Sequence, residues 1–390
     1  MLRRQFTIAV AAIGIVALQT FGASAQEELK IGMVVPLTGA GFAAVGKQVV
    51  PAARLYMKHH GDTVAGRKIQ LIVRDDAGVA DNARRIAQEM IVNDKVGIIA
   101  IGITPSSLAI AQLVTQAKMP TVVMVSGASI TVDRSPYFVR TSFLLSQSSW
   151  IMGEWAAKNG SKRVVTLVND WAPGTEAETA FKQRFTQLGG EIIESIRIPL
   201  ANPDFSPFLQ RIRDINPDTA FIYFPGTQAG IFAKQFAERG LAQSGIKIIG
   251  PGDLTDDDEL NNMGDQMLGM VTAHDYSASH DSALNKKYVE DFKKENNFRP
   301  NFVSVGGYDG MHLIYEALKK TNGSTDGDAL VAAMKGMQWE SPRGIMSIDP
   351  ETRDLVQDIY IRKVEKINGE LWNTEFAKFE AVKDPLKVKK

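Results

Sequence analysis

Short, uninterrupted apolar runs alternate with amphipathic stretches along this chain, and the alternation occurs twice. MVV within 29–38, IQLIV within 68–76, VGIIAI at 96–101 and TVVMV at 121–125 are continuous rather than every-other-residue apolar. A strand covered by helices on both faces needs that pattern, because neither of its sides meets water. The intervening segments have helical spacing: Ala83, Ile86, Ala87 and Met90 share one face, as do Ala109, Ile110, Leu113, Val114 and Ala117. The unit repeats as VVTLV at 164–168, EIIESIRI at 191–198, AFIYF at 220–224 and IKII at 246–249. Helices are expected from near Thr175, Ser206 and Gln228; Thr175 with Glu178 has capping-box spacing, and Ser206 precedes Pro207.

The grammar then changes. After a strand expected at 269–276 come three helical stretches, 281–295, 303–320 and 326–337, and then an alternating tail strand at 355–367. Helices without a sheet of their own must lie on one already built, so the chain is expected to recross near Tyr276 and again near Ser347. The fold class is therefore α/β, with two doubly wound, Rossmann-like domains joined by a multi-crossover hinge. One lobe comprises 26–142 plus 277–347 and the other 143–276 plus 348–390, with a ligand cleft between them.

Residues 1–25 differ in kind. Arg3 and Arg4 precede an apolar run to Phe21, and Ala23-Ser24-Ala25 has the small-x-small pattern of a signal peptidase site, predicting cleavage after Ala25 and export to the periplasm. The chain has no cysteine, so its stability must come from packed cores. Without Arg3 and Arg4 it carries 42 basic against 44 acidic residues and no basic stripe, which argues against a nucleic-acid partner. A monomer is expected.

Little in the sequence points to chemistry. The five histidines, His59, His60, His274, His280 and His312, have no metal-ligand spacing, and GxSxG and P-loop patterns are absent. The acidic run 256–259 reads as the start of a helix. Gly39, Gly41 and Ala44 satisfy GxGxxA, with Asp75 and Asp76 ending the next strand, as in a dinucleotide oxidoreductase. Export, the proline ahead of the turn and the further Gly46 fit the mouth of a solute cleft better, so no cofactor and no enzymatic activity are expected. Two strand ends remain as an anion site. In GITPSS, Ser106 opens a helix with free amides; in VSGAS, Gly127 lets a ligand approach the backbone and Ser129 adds a hydroxyl.

These segments, with LKIGMVVPLTGAGFAAVGKQ, YFVRTS, VVTLVNDWAPGTEA and GYDGMHLIYEAL, resemble the leucine/isoleucine/valine-binding branch of periplasmic solute-binding proteins, the receptors of bacterial ABC importers. The resemblance covers 28–383. It implies the type I periplasmic binding fold, closure of two lobes on a solute, and an ABC permease in the inner membrane as partner. It also places the ligand carboxylate at Ser106, Gly127 and Ser129. Amino-acid binders of the branch hold the α-ammonium with a tyrosine and an acidic residue; those positions fall here on Thr227 and Gly252, with Asp253 one residue away. PLTG, GKQ, DDA, GITP, SPRG and SIDPETRD are further similar to members that take up benzoate-type and hydroxycinnamate-type acids. An aromatic carboxylate is thus the expected ligand, gripped by Phe42, Trp171, Tyr276 and Tyr308. A branched-chain or other amino acid or amide, for transport or sensing, is the alternative, and an NAD-dependent oxidoreductase the remote one.

Overall fold

The computed structural model describes residues 28–39, 41–199, 204–224 and 227–387. The proposed leader and its cleavage site lie outside them. A first, six-stranded sheet contains β1 (Glu28–Val35), β2 (Thr63–Val64), β3 (Arg67–Asp75), β4 (Ile98–Ile101), β5 (Thr121–Val123) and β6 (Phe138–Arg140), in the order β2-β3-β1-β4-β5-β6. All its pairings are parallel except β2 with β3. Successive side chains feed two cores, as the continuous apolar runs require. Ile98 and Ala100 pack among residues of the helices Ala43–His60 and Phe302–Lys320, while Ile99 and Ile101 pack with Ile86 and Ile110 of the helices Ala80–Glu89 and Thr104–Gln116.

The second sheet contains β7 (Arg163–Asn169), β8 (Glu191–Ile198), β9 (Thr219–Tyr223), β10 (Lys247–Pro251), β11 (Val271–His274), β12 (Gln338–Ser341), β13 (Gly344–Ile348), β14 (Leu355–Ile367) and β15 (Glu370–Val382). Its order is β12-β13-β14-β11-β10-β9-β7-β8, with β15 paired to β14. Phe221 and Tyr223 of β9 enter the core shared with the first sheet, and Ala220 and Ile222 the core on the opposite face.

Two details differ from the sequence expectation. Strands β12 and β13 already belong to the second sheet, so the return crossing falls before Gln338 and not near Ser347. Their apolar residues are few, and the pairing of β13 with β14 recruits them. The tail is a hairpin and not a single strand: Asn368 and Gly369 both have positive φ, at 52° and 86°, as a tight two-residue turn needs. The helices Ala283–Asn296 and Phe302–Lys320 both pack on Ala43–His60, beside the first sheet, as expected for helices that lack one of their own.

Arg343, fully buried in the β12–β13 turn, ties the crossings together. Its Nη1 donates to Asp275 at 2.5 Å, its Nε to Asp309 at 2.9 Å and its Nη2 to the Thr141 carbonyl at 2.6 Å. Asp275 follows β11, Asp309 lies in Phe302–Lys320 and Thr141 follows β6, so one guanidinium joins a strand end of each sheet to that helix. Burial opposes ionisation of Asp275, but His274 and Arg343 outweigh it and hold this carboxyl well below the usual range.

Candidate functional site

Parallel strands of both sheets end facing one cavity of about 120 Å³. The loops after β1, β4 and β5 contribute Gly41, Phe42, Ile103, Thr104, Pro105, Val125, Ser126 and Gly127. From the second sheet come Trp171 and Pro173 after β7, Tyr223 at the end of β9, and Asp253 and Asp256 after β10. Phe143 and Leu145, and Asn301, Phe302 and Val303, complete the wall. Carboxyl ends of strands in open α/β sheets are where ligands bind, because the chain there need only be irregular.

The walls are aromatic. Phe42 and Trp171 reach toward each other from the two sheets with ring centroids 6.3 Å apart, and Phe143 meets Phe302 edge-on at 4.8 Å. An apolar cavity of about 150 Å³ holds benzene, so this one is of single-ring scale. Polar groups sit at its two ends. On the first-sheet side the Thr104 and Ser126 hydroxyls lie 2.8 Å apart, beside the first turn of Thr104–Gln116, whose leading amides have no intrahelical acceptor. On the second-sheet side are Asp253, Asp256 and Tyr223. Asp256 accepts two hydrogen bonds from Asn301 Nδ2, at 2.9 and 3.0 Å, and burial pushes its carboxyl up to about 7. Burial likewise raises the Tyr223 phenol well above its usual value, with Asp253 and Glu176 adding to the effect.

The expected site residues separate into three groups. Phe42, Gly127, Trp171 and Asp253 line the cavity together. Gly127 is required by packing: a Cβ there would lie 2.7 Å from the Phe143 ring and 3.0 Å from Leu145. The Ser106 and Ser129 hydroxyls are engaged by carboxylates of the chain itself. Ser106 donates to Asp76 at 2.5 Å; Ser129 gives both its amide, at 2.9 and 3.1 Å, and its hydroxyl, at 3.0 Å, to Glu176. Glu176 reaches Ser129 from the helix Ala172–Gln187 beside the second sheet, and burial moves its carboxyl up to about 7 against those hydrogen bonds.

Tyr276, Tyr308 and Gly252 are not among the residues that line the cavity. Tyr276 is fully buried with its hydroxyl on Asn285 at 3.1 Å, and Tyr308 packs edge-on against Tyr56 with its hydroxyl 3.1 Å from His59. Apolar burial of the rings explains both. Gly252 packs under the Arg362 and His274 side chains, which leave no room for a Cβ, and Thr227 opens the helix Thr227–Glu238. The run 256–259 forms a turn ahead of the short helix Leu260–Met263, because Asp256 is drawn to Asn301. Thr104, Phe143, Tyr223, Asn301 and Phe302 were not expected at a site; for Thr104 and Tyr223 the available signal was their position at strand carboxyl ends.

The glycine turn after β1 is organised by Asp75. This carboxylate accepts from the amides of Leu37, Thr38 and Ala77 and from Thr38 Oγ1 at 2.5 Å; burial opposes its ionisation, but these bonds outweigh it and lower its pKa. Gly39, at φ 93°, lies against the Ala77 carbonyl, where a Cβ would approach to 2.5 Å. The acid that would read a dinucleotide ribose is thus used to hold the turn.

The sequence model of the periplasmic binding protein family matches residues 28–369. The chain belongs to this family. It is 40% identical over 385 residues to a Leu/Ile/Val-binding protein homolog 6 of Brucella suis biovar 1, covering 97% of this chain and 98% of that one. It is also similar to the solute-binding protein of an ABC transporter from Rhodopseudomonas palustris BisB5, solved with 3,4-dihydroxybenzoic acid: 64% identity, TM-score 0.90, 93% of this chain and 99% of that chain. A second such protein, from R. palustris HaA2 with p-hydroxybenzoic acid, is 37% identical with TM-score 0.90, over 93% and 100% of the two chains. The chain is therefore a solute-binding protein of an ABC transporter, a receptor and not an enzyme, with the type I fold expected from its sequence.

Proposed function

We propose that this receptor captures a single-ring aromatic carboxylate of the benzoate type and presents it to its permease. The observation that carries the reading is the small cavity walled by Phe42, Phe143, Trp171 and Phe302, with hydroxyls at one end. Flat rings gain offset and edge-on contacts from such walls, and the ligand carboxylate takes the Thr104 hydroxyl, the end of a hydroxyl chain through Ser126 to Thr131, with the amides of the adjoining helix turn. Gly127 keeps the backbone low beside them. The aromatic acids in the R. palustris proteins support this choice. The moving bodies are the first sheet with the helices between Ala283 and Met334, and the second sheet with its own helices, hinged around Arg343. Ligand touching both bodies shifts the population toward the closed form. The mature protein begins after Ala25 and acts as a monomer.

The Brucella relative favours a second reading, in which a branched-chain amino acid fills the cleft and Asp253 meets its ammonium. A thermal-shift panel on the mature protein separates the two, since a ligand that binds only the folded state raises the melting temperature. Benzoates should raise it and leucine should not. A strong shift with leucine and none with any benzoate rejects the proposal.

A further inference from the structure

Asp253 is 5% exposed and lines the cavity beside its aromatic walls, yet its Oδ2 has no hydrogen-bond partner among the described residues. Its Oδ2 lies 3.7 Å from Nε2 of fully buried His274, and that nitrogen also lacks a hydrogen-bond partner. A buried carboxylate without donors is costly, so a site that keeps one is built for a ligand that brings a donor. An ionised carboxylate only accepts hydrogen bonds, so the group that meets it must donate one. Tyr223 lines the same end.

Nδ1 of His274 accepts from the Asp275 amide at 3.0 Å, which leaves Nε2 to carry the hydrogen that faces Asp253. A cationic ammonium in the cavity would meet that N–H as well, so this end suits an uncharged O–H. The two ends of the cavity are thus complementary to the two ends of one molecule: hydroxyls and helix amides for a carboxylate, a carboxylate for a hydroxyl.

We propose that Asp253 accepts a hydrogen bond from a ring hydroxyl of the ligand, so that the cleft selects hydroxylated aromatic carboxylates over unsubstituted ones. The inference rests on the aromatic-carboxylate reading above. Tyr223 stands beside Asp253 to serve a second, adjacent hydroxyl.

Calorimetric titration of the mature protein with benzoate, 4-hydroxybenzoate, 3,4-dihydroxybenzoate and 4-methoxybenzoate tests it. The wild type should bind the hydroxylated acids at least about tenfold more tightly than benzoate, the scale of one satisfied buried hydrogen bond. The methoxy compound, which has the oxygen but no hydrogen to donate, should gain nothing. Asp253→Asn should reduce the preference to under about threefold. Tyr223→Phe should weaken 3,4-dihydroxybenzoate more than 4-hydroxybenzoate. Equal wild-type affinity for benzoate and 4-hydroxybenzoate, or equal gain from methoxy and hydroxyl groups, overturns the inference and leaves the aromatic reading standing. Binding of leucine with none of the four acids overturns the aromatic reading itself. If Asp253→Asn fails to fold, the wild-type series and Tyr223→Phe still decide.

Discussion

The two rims of the cleft are built from the same strand-end geometry and carry opposite chemistry. The first-sheet rim offers small neutral groups, Thr104, Ser126 and Gly127, at the start of a helix; the second-sheet rim offers Asp253, Asp256, Tyr223 and Trp171. Equivalent rims would grip a symmetric or featureless solute. Unlike rims fix the direction in which a ligand lies, and only a ligand with a distinct group at each end satisfies both. The difference also shows where the chain has filled its own donors: Ser106 and Ser129 are taken by Asp76 and Glu176.

The comparison breaks most severely if the rims lose their common anchor. Arg343→Leu leaves Asp275 and Asp309 buried without their cation and should cost about 3–5 kcal/mol of stability, read as a fall in the denaturation midpoint. Trp171→Ala removes an aromatic wall shared across the cleft and should weaken aromatic-acid binding by about 2 kcal/mol, roughly thirtyfold by calorimetry, with the fold retained. On the neutral rim, Thr104→Val and Ser126→Ala should each weaken the same ligand by about 1 kcal/mol, whereas Tyr276→Phe should leave affinity unchanged and lower stability by about 1 kcal/mol.

A pH series sharpens the contrast further. The folded-state pKa of Glu176 lies near 7, above its ordinary value of 4.5, so folding favours the protonated form. Its contribution is fully present below about pH 4.5 and is lost as pH rises through 7. Glu176→Gln should therefore narrow the stability difference between pH 5 and pH 8 relative to wild type, measured by urea denaturation. An unchanged difference would remove Glu176 as the titrating link between Ser129 and the second-sheet helix.

Much of this architecture was legible because burial on two faces leaves an unambiguous trace. Runs such as VGIIAI at 96–101 must be inner parallel strands, and their carboxyl ends then locate the cleft. What a side chain does at that edge was less legible. Ser106 and Thr104 sit two residues apart in GITPSS, and only the three-dimensional placement of Asp76 decides which hydroxyl remains for a ligand. Tyr276 and Tyr308 looked like ring-stacking partners, because an aromatic residue near a crossover carries the same letter whether it faces a cavity or a core. The second hairpin strand is hard to see in the sequence although Asn368-Gly369 marks its turn, since β15 alternates too weakly to stand out alone.

The central claim is that the two unlike rims close on one aromatic carboxylate. Isothermal titration of the mature protein with 3,4-dihydroxybenzoate and, separately, with leucine tests it most directly. The account predicts saturable one-to-one binding of the dihydroxybenzoate and no measurable heat of binding for leucine. Saturable leucine binding with no response to the aromatic acid would contradict it.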